Sequence, residues 1–121
     1  MAYAYVVGLE NITENNLAFR HVIFTAPSNR MQLVLMSLNP GEDIGMEIHE
    51  DTDQFFRFES GTGLAIADDK VTSIGPGDGL VITAGTNHNI INNGLTPLKF
   101  YTIYNNALHS QGEYEIQKKT E

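Results

Sequence analysis

The residues best suited to chemistry begin with Glu47-Ile48-His49, followed after four further residues by Gln54, while His88 stands alone farther along the chain. Side chains at i and i+2 of an extended strand point to one face, so Glu47 and His49 would lie side by side. A carboxylate beside an imidazole can take up a divalent cation, and either group can exchange a proton with a bound molecule. The chain contains no Cys, which excludes a disulfide scaffold, a thiolate zinc site and a cysteine nucleophile. Histidines and carboxylates are therefore the candidate ligands.

Such side chains need a frame. A chain of 121 residues has room for one domain that owns a core and an internal pocket. Its 41% hydrophobic content is that of an ordinary globular protein, and no apolar run approaches the ~20 residues of a transmembrane helix. Fifteen acidic against seven basic residues leave a formal net charge of -8, which repels phosphate backbones. The composition thus argues against nucleic-acid and membrane partners. The first residues, Met-Ala-Tyr-Ala-Tyr-Val-Val-Gly, lack the basic stretch and long apolar region of a secretory signal, so a cytoplasmic location is expected.

Short runs rich in Val, Ile, Phe, Tyr and Thr recur between Gly, Pro, Asn and Asp, and no long stretch has helical spacing. An all-β chain is expected, with strands at Phe19–Thr25, Met31–Leu38, Ile44–His49, Phe55–Glu59, Gly63–Ala67, Val71–Ile74, Gly79–Ile82, His88–Ile91 and Leu98–Tyr104. Ala26-Pro27-Ser28-Asn29 and Ala67-Asp68-Asp69-Lys70 read as hairpin connections, and Gly75-Pro76-Gly77-Asp78-Gly79 as a tight corner. Asn93-Gly94, between two strands, is the strongest short hairpin signal. Short antiparallel strands with no helix to cover a face must form two packed sheets or a barrel. Phe55, Phe56 and Phe58 are expected in the core, and the polar segment 106–121 as a surface-laid flap or a partly disordered tail. The barrel domain is accordingly placed at residues 1–105.

Two spaced units carry a family resemblance. In the first, Gly41 is followed after five residues by Glu47-Ile48-His49, after four by Gln54, and after six by Gly61. In the second, Gly77 is followed after five residues by Thr83-Ala84-Gly85, after two by His88, and after three by Asn92. These spacings resemble the two motifs of the cupin superfamily, in particular the small single-domain cupins of the cupin 2 conserved-barrel type that are similar to mannose-6-phosphate isomerase. Glu47 stands where the first His of the family pattern belongs, Gln54 where its Glu belongs, and Thr83 where its Pro belongs.

The resemblance implies a double-stranded β-helix, or jelly roll, of two packed antiparallel sheets, with one divalent metal ion held by Glu47, His49, Gln54 and His88. Carboxylate, two imidazoles and an amide oxygen suit Fe, Mn, Zn or Ni and leave positions open for a small oxygenated molecule. Asp53 is the alternative to Gln54 if its strand begins one residue earlier, although parity with Phe56 and Phe58 favours Gln54. Glu47 is also the candidate catalytic base of a metal-dependent isomerase or dioxygenase; a non-catalytic binding or sensing barrel is the competing expectation. An isomerase acting on a phosphorylated sugar would need basic residues by the pocket, and outside turns and tail the chain offers Arg20, Arg30, Arg57 and Lys99. Tyr101 and Tyr104 lie on opposite faces of the last strand, and which of them faces inward depends on register. His21 and His109 have no motif support, although His109 in the tail is placed to fold over a barrel mouth. Pairing into a homodimer through the sheets is expected by resemblance.

Overall fold

Alternation of burial along the strands shows how the sequence builds the frame. In the run from Leu98 to Tyr104 every second residue is buried, and Phe56 and Phe58 turn inward while Phe55, just before them, faces outward. Residues 4–119 are described by the computed structural model; Met1–Tyr3 and Thr120–Glu121, the outermost parts of the expected domain and tail, lie outside the described residues. A short helix α1 (Leu9–Glu14) precedes β1 (Arg20–Thr25), β2 (Gln32–Leu38), β3 (Gln54–Ser60), β4 (Gly63–Ala67), β5 (Lys70–Ile74), β6 (Gly79–Ile82), β7 (His88–Ile91), β8 (Leu98–Tyr104) and β9 (Tyr114–Glu115). Among the described residues no helix is long and apolar enough to cross a membrane.

The strands form two antiparallel sheets, one of six strands in the order β6-β3-β8-β2-β1-β9 and one of three in the order β5-β4-β7. Val34, Phe56, Phe58 and Phe100 from the first sheet meet Ala65 and Ile90 from the second in a single core. The phenylalanine rings contact one another at centroid distances of 5.3 to 6.2 Å. Burying each such ring stabilises the fold by roughly 1.5–3 kcal/mol. This is the jelly-roll form of a double-stranded β-helix.

Four expectations need correction. The run Ile44–His49 is not a regular strand: it touches β7 through two isolated bridges, Asp43 to Ile91 and Glu47 to His88. Four steps along one side span three along the other, so one residue is extra, and Gly45, at φ +93°, absorbs it as a bulge. Phe55, counted with the core, is 36% exposed, because period-two alternation cannot bury neighbours on one face. Asn93-Gly94 does not make a hairpin, since β7 and β8 belong to different sheets. Instead Asn92, fully buried, donates to the carbonyls of Leu38 and Thr96 and accepts from the amide of Gly94, holding the connection as it crosses between sheets. Finally, α1 was not expected; six residues are too few to show a helical period.

The other turns follow their chemistry. Asn29 and Asp68 adopt positive φ in the two expected hairpins, and Gly77 does so in the corner, where the Asp78 carboxylate accepts the amide of Gly75. Beyond β8 the chain runs back over the six-stranded sheet, and β9 pairs with β1 through Arg20 to Glu115 and His21 to Tyr114.

Candidate metal centre

The Gly45 bulge decides which side chains face inward. Without the extra residue Ile44 would share a face with Met46 and Ile48; with it, Ile44 is 8% exposed and Met46 and Ile48 stay about half exposed. Glu47 and His49 then project together toward the interior, the alternation expected from spacing i, i+2. Glu47 and His88 exchange both backbone hydrogen bonds at 2.8 Å, so their Cα atoms sit directly opposite each other. A tight turn at Thr83–Thr86 returns the chain to this point: Gly85 at φ +84° donates its amide to the carbonyl of His49 at 2.9 Å.

These constraints bring Glu47, His49 and His88 together, with one ligand atom from each lying within 4.8 Å of the others. The His49 Nε2 is 3.8 Å from a Glu47 carboxylate oxygen, and the imidazoles of His49 and His88 meet edge to face at 5.2 Å. The His88 Nδ1 lies 2.9 Å from the carbonyl of Thr86, an acceptor that places the proton on Nδ1 and leaves a lone pair on Nε2. Desolvation is the main influence on His49 and lowers its pKa; Glu47 opposes the shift and His88 adds to it. His49 is thereby held as a neutral ligand.

Gln54, at the start of β3, is 3% exposed, and its Nε2 donates to Thr102 Oγ1 at 2.8 Å. Asp53, the alternative at this position, is exposed; its carboxylate accepts the amide of Ala84 at the rim. Of the two, Gln54 therefore faces the interior.

Whether these residues suit a metal ion can be judged from their unmet hydrogen-bonding capacity. His49 Nε2, His88 Nε2 and Gln54 Oε1 are all buried, and none has a hydrogen-bond partner. A buried polar atom left unpaired costs about 1–3 kcal/mol. Two imidazole lone pairs and an amide oxygen beside a carboxylate form a donor set that a divalent cation satisfies, so the residues fit the group.

Around this set, register resolves the tyrosines: Tyr104 is 3% exposed, with its ring 6.2 Å from that of His49, whereas Tyr101 is half-buried on the outer face. Burial raises the pKa of the Tyr104 phenol well above its ordinary value and keeps it protonated. His109 reaches Tyr104 from the tail, its Nε2 lying 3.3 Å from the phenol oxygen. Gln32 escaped the sequence reading altogether; the one available signal was a Gln that opens a strand apolar but for Ser37. His21 packs against Tyr114 on the surface, away from this group.

Comparison with known proteins agrees with this architecture. The chain is 46% identical over 118 residues to an uncharacterized protein of Acanthamoeba polyphaga mimivirus, covering 94% of this chain and 72% of the viral protein. It is 40% identical to YrkC of Bacillus subtilis over 89% of its own length, yet spans only 60% of YrkC. The crystal structure of the Bacillus halodurans protein BH2720 superposes with a TM-score of 0.90 at 38% identity, over 93% of this chain and 89% of that one. A predicted oxalate decarboxylase from Thermotoga maritima superposes with a TM-score of 0.63 at 27% identity, over 66% of this chain and 70% of that one. The Cupin domain profile matches residues 34–104, which run from β2 to the end of β8 and contain the bulge, both histidines and Gln54. On sequence, fold and the placement of these residues, the chain is a member of the Cupin domain family.

Proposed function

We propose that this cupin binds one divalent metal ion, of the Fe, Mn, Zn or Ni kind, through Glu47, His49, His88 and Gln54, and uses it to hold a small oxygenated molecule in the barrel. The observation that carries the reading is the convergence of Glu47, His49 and His88 while both imidazole Nε2 atoms and the Gln54 Oε1 stay buried and unpartnered. When bound, such an ion supplies Lewis-acid polarisation of a ligand oxygen. The chain's own residues do the rest. Thr86 fixes the His88 tautomer, Phe56, whose ring lies 6.3 Å from that of His88, excludes water from one side, and Glu47, whose side chain is 35% exposed, is the group able to accept a proton from a bound molecule.

Within that reading we place the protein among metal-dependent enzymes acting on small acids or related oxygenated molecules, as a dioxygenase or isomerase. The likeness to the Thermotoga protein supports a small acid. Phosphorylated sugars fit less well, because Arg20 is paired with Glu115, Arg57 with Glu59, Lys99 is bonded to the carbonyl of Asn16, and Arg30 stands exposed in the turn between β1 and β2. A second reading, a non-catalytic binding or sensing barrel, is favoured by one observation: the next titratable groups, Tyr104 and His109, are held neutral by burial and bonded to each other. A homodimer through the outer face of the six-stranded sheet fits the exposed apolar strip of Met31, Phe55 and Val81.

The test is metal content by mass spectrometry on untagged protein and on Glu47→Ala, His49→Ala and His88→Ala. A single equivalent in the parent that disappears in the variants is expected. Protein that stays metal-free when offered Fe, Mn, Zn and Ni would refute the metal reading.

A further inference from the structure

Across the six-stranded sheet, Gln32 of β2 pairs with Tyr104 of β8, and Tyr104 with Gln54 of β3. All three are almost wholly buried. The next rungs of the ladder hold Val34, Thr102 and Phe56, then Met36, Phe100 and Phe58, so a polar row closes one end of an apolar face. Such a row is costly unless its members are bonded, and their bonds run in two directions.

On one side the row seats the C-terminal segment. Gln32 Oε1 accepts the amides of Leu108 and His109, each at 3.1 Å, and its Nε2 donates to the carbonyl of His109 at 2.8 Å and to Thr25 Oγ1 at 3.0 Å. So held, His109 lies against the Tyr104 ring at 5.6 Å with its Nε2 near the phenol. Burial, helped by the nearby Arg20 cation, keeps this imidazole neutral, with its pKa lowered to about 4. The Glu113 carboxylate, 3.7 Å from Nδ1, favours the proton on that nitrogen and leaves Nε2 to accept from the Tyr104 hydroxyl.

On the other side the row orients Gln54. Its Nε2 donates to Thr102 Oγ1, and its amide also faces the phenol oxygen of Tyr104. With its N–H groups directed to β8, the Gln54 Oε1 is left buried and unpartnered.

We infer that the C-terminal segment is an outer layer of the metal centre: His109 orients the Tyr104 phenol, and Tyr104 with Thr102 holds the Gln54 oxygen toward Glu47, His49 and His88. The inference rests on the metal reading of the site. Tyr104 and His109 are positioning residues, and docking of the segment and metal affinity are linked reciprocally.

The experiment measures Co(II) affinity by chelator competition, with the visible Co(II) spectrum, on the full chain and its variants. Tyr104→Phe and His109→Ala are each expected to weaken Co(II) binding about tenfold and to alter the spectrum, as loss of an outer-shell partner does. His109→Gln, which restores an acceptor, is expected to recover most of the affinity. Tyr101→Phe, on the outer face of the same strand, is expected to change nothing. In a Gln54→Ala background, Tyr104→Phe should have no further effect, because the two act through one oxygen. Parent-like affinity and spectrum in Tyr104→Phe and His109→Ala would overturn the inference alone, as would a full Tyr104→Phe effect in the Gln54→Ala background. A parent chain that binds no Co(II) would overturn the metal reading and this inference with it.

Discussion

A site made of unpartnered buried atoms should weaken the metal-free protein, and His49→Phe tests this directly. The His49 side chain is 18% exposed and packs edge-on against His88 and Tyr104, so a phenyl ring of similar size fits the same contacts. The substitution removes one unpartnered ring nitrogen that is itself buried, a cost of about 1–3 kcal/mol, and the 18% exposure of the ring as a whole puts it in the lower part of that range, about 1–2 kcal/mol. For a chain of this length each kcal/mol moves Tm by about 3–5 °C, so in chelator the variant should melt roughly 3–10 °C higher than the parent. With metal at about a hundred times Kd the parent should gain about 2.7 kcal/mol, and the variant little. The order of stability therefore reverses on adding metal. pH adds a second signature. Because burial lowers the folded-state pKa of His49, its neutral form contributes stability above the ordinary histidine pKa, and that contribution is lost as pH falls through the lowered value. The variant should have a flatter acid limb. Calorimetric or fluorescence melts with and without chelator, from pH 8 down to pH 4, read all three effects. A variant that melts several degrees below the parent in chelator, or that keeps the parent's metal-dependent rise, would refute the reasoning.

Other substitutions probe the supporting structure. Gly45→Ala meets no atom within 4 Å of the added Cβ, so its cost is the positive φ alone, about 1–2 kcal/mol in a chemical-denaturation midpoint, together with weaker metal binding as the bulge shifts Glu47. Asn92→Ala leaves the carbonyls of Leu38 and Thr96 without their donor and should destabilise by about 2–4 kcal/mol in the same assay. His109, with a folded pKa of about 4, should lose its contribution as pH falls from the ordinary histidine range to that value; denaturation midpoints against pH should fall less steeply in His109→Gln than in the parent. Val81→Asp, at a position 64% exposed, should leave the melting temperature of the protomer nearly unchanged while shifting a dimer to monomer in light scattering.

The strand runs were legible because period-two alternation is local: the run from Leu98 to Tyr104 declares its two faces residue by residue. Elements whose form depends on a distant partner were not. The bulge at Gly45 is set by how Asp43 and Glu47 meet β7, and a glycine in a strand-like run does not reveal its φ. Asn93-Gly94 carries the chemistry of a hairpin, yet the packing of two sheets sends the flanking strands apart. The two-residue strand β9 exists because β1 presents a free edge to it, and nothing in Tyr114-Glu115 announces that edge.

The same division holds at the site. Spacing alone set Glu47 beside His49, and the exclusion of Cys left His and carboxylates as ligands, because both follow from local geometry and composition. The second motif pointed to His88 but not to the bridge that places it opposite Glu47. Parity with Phe56 and Phe58 already favoured Gln54 over Asp53, whereas Tyr104 rather than Tyr101, and the contacts that join Gln32, Tyr104 and His109, were decided only by tertiary structure. Register across three strands and the return of a segment far along the chain bring these groups within hydrogen-bond reach, and no local pattern in the sequence encodes those distances.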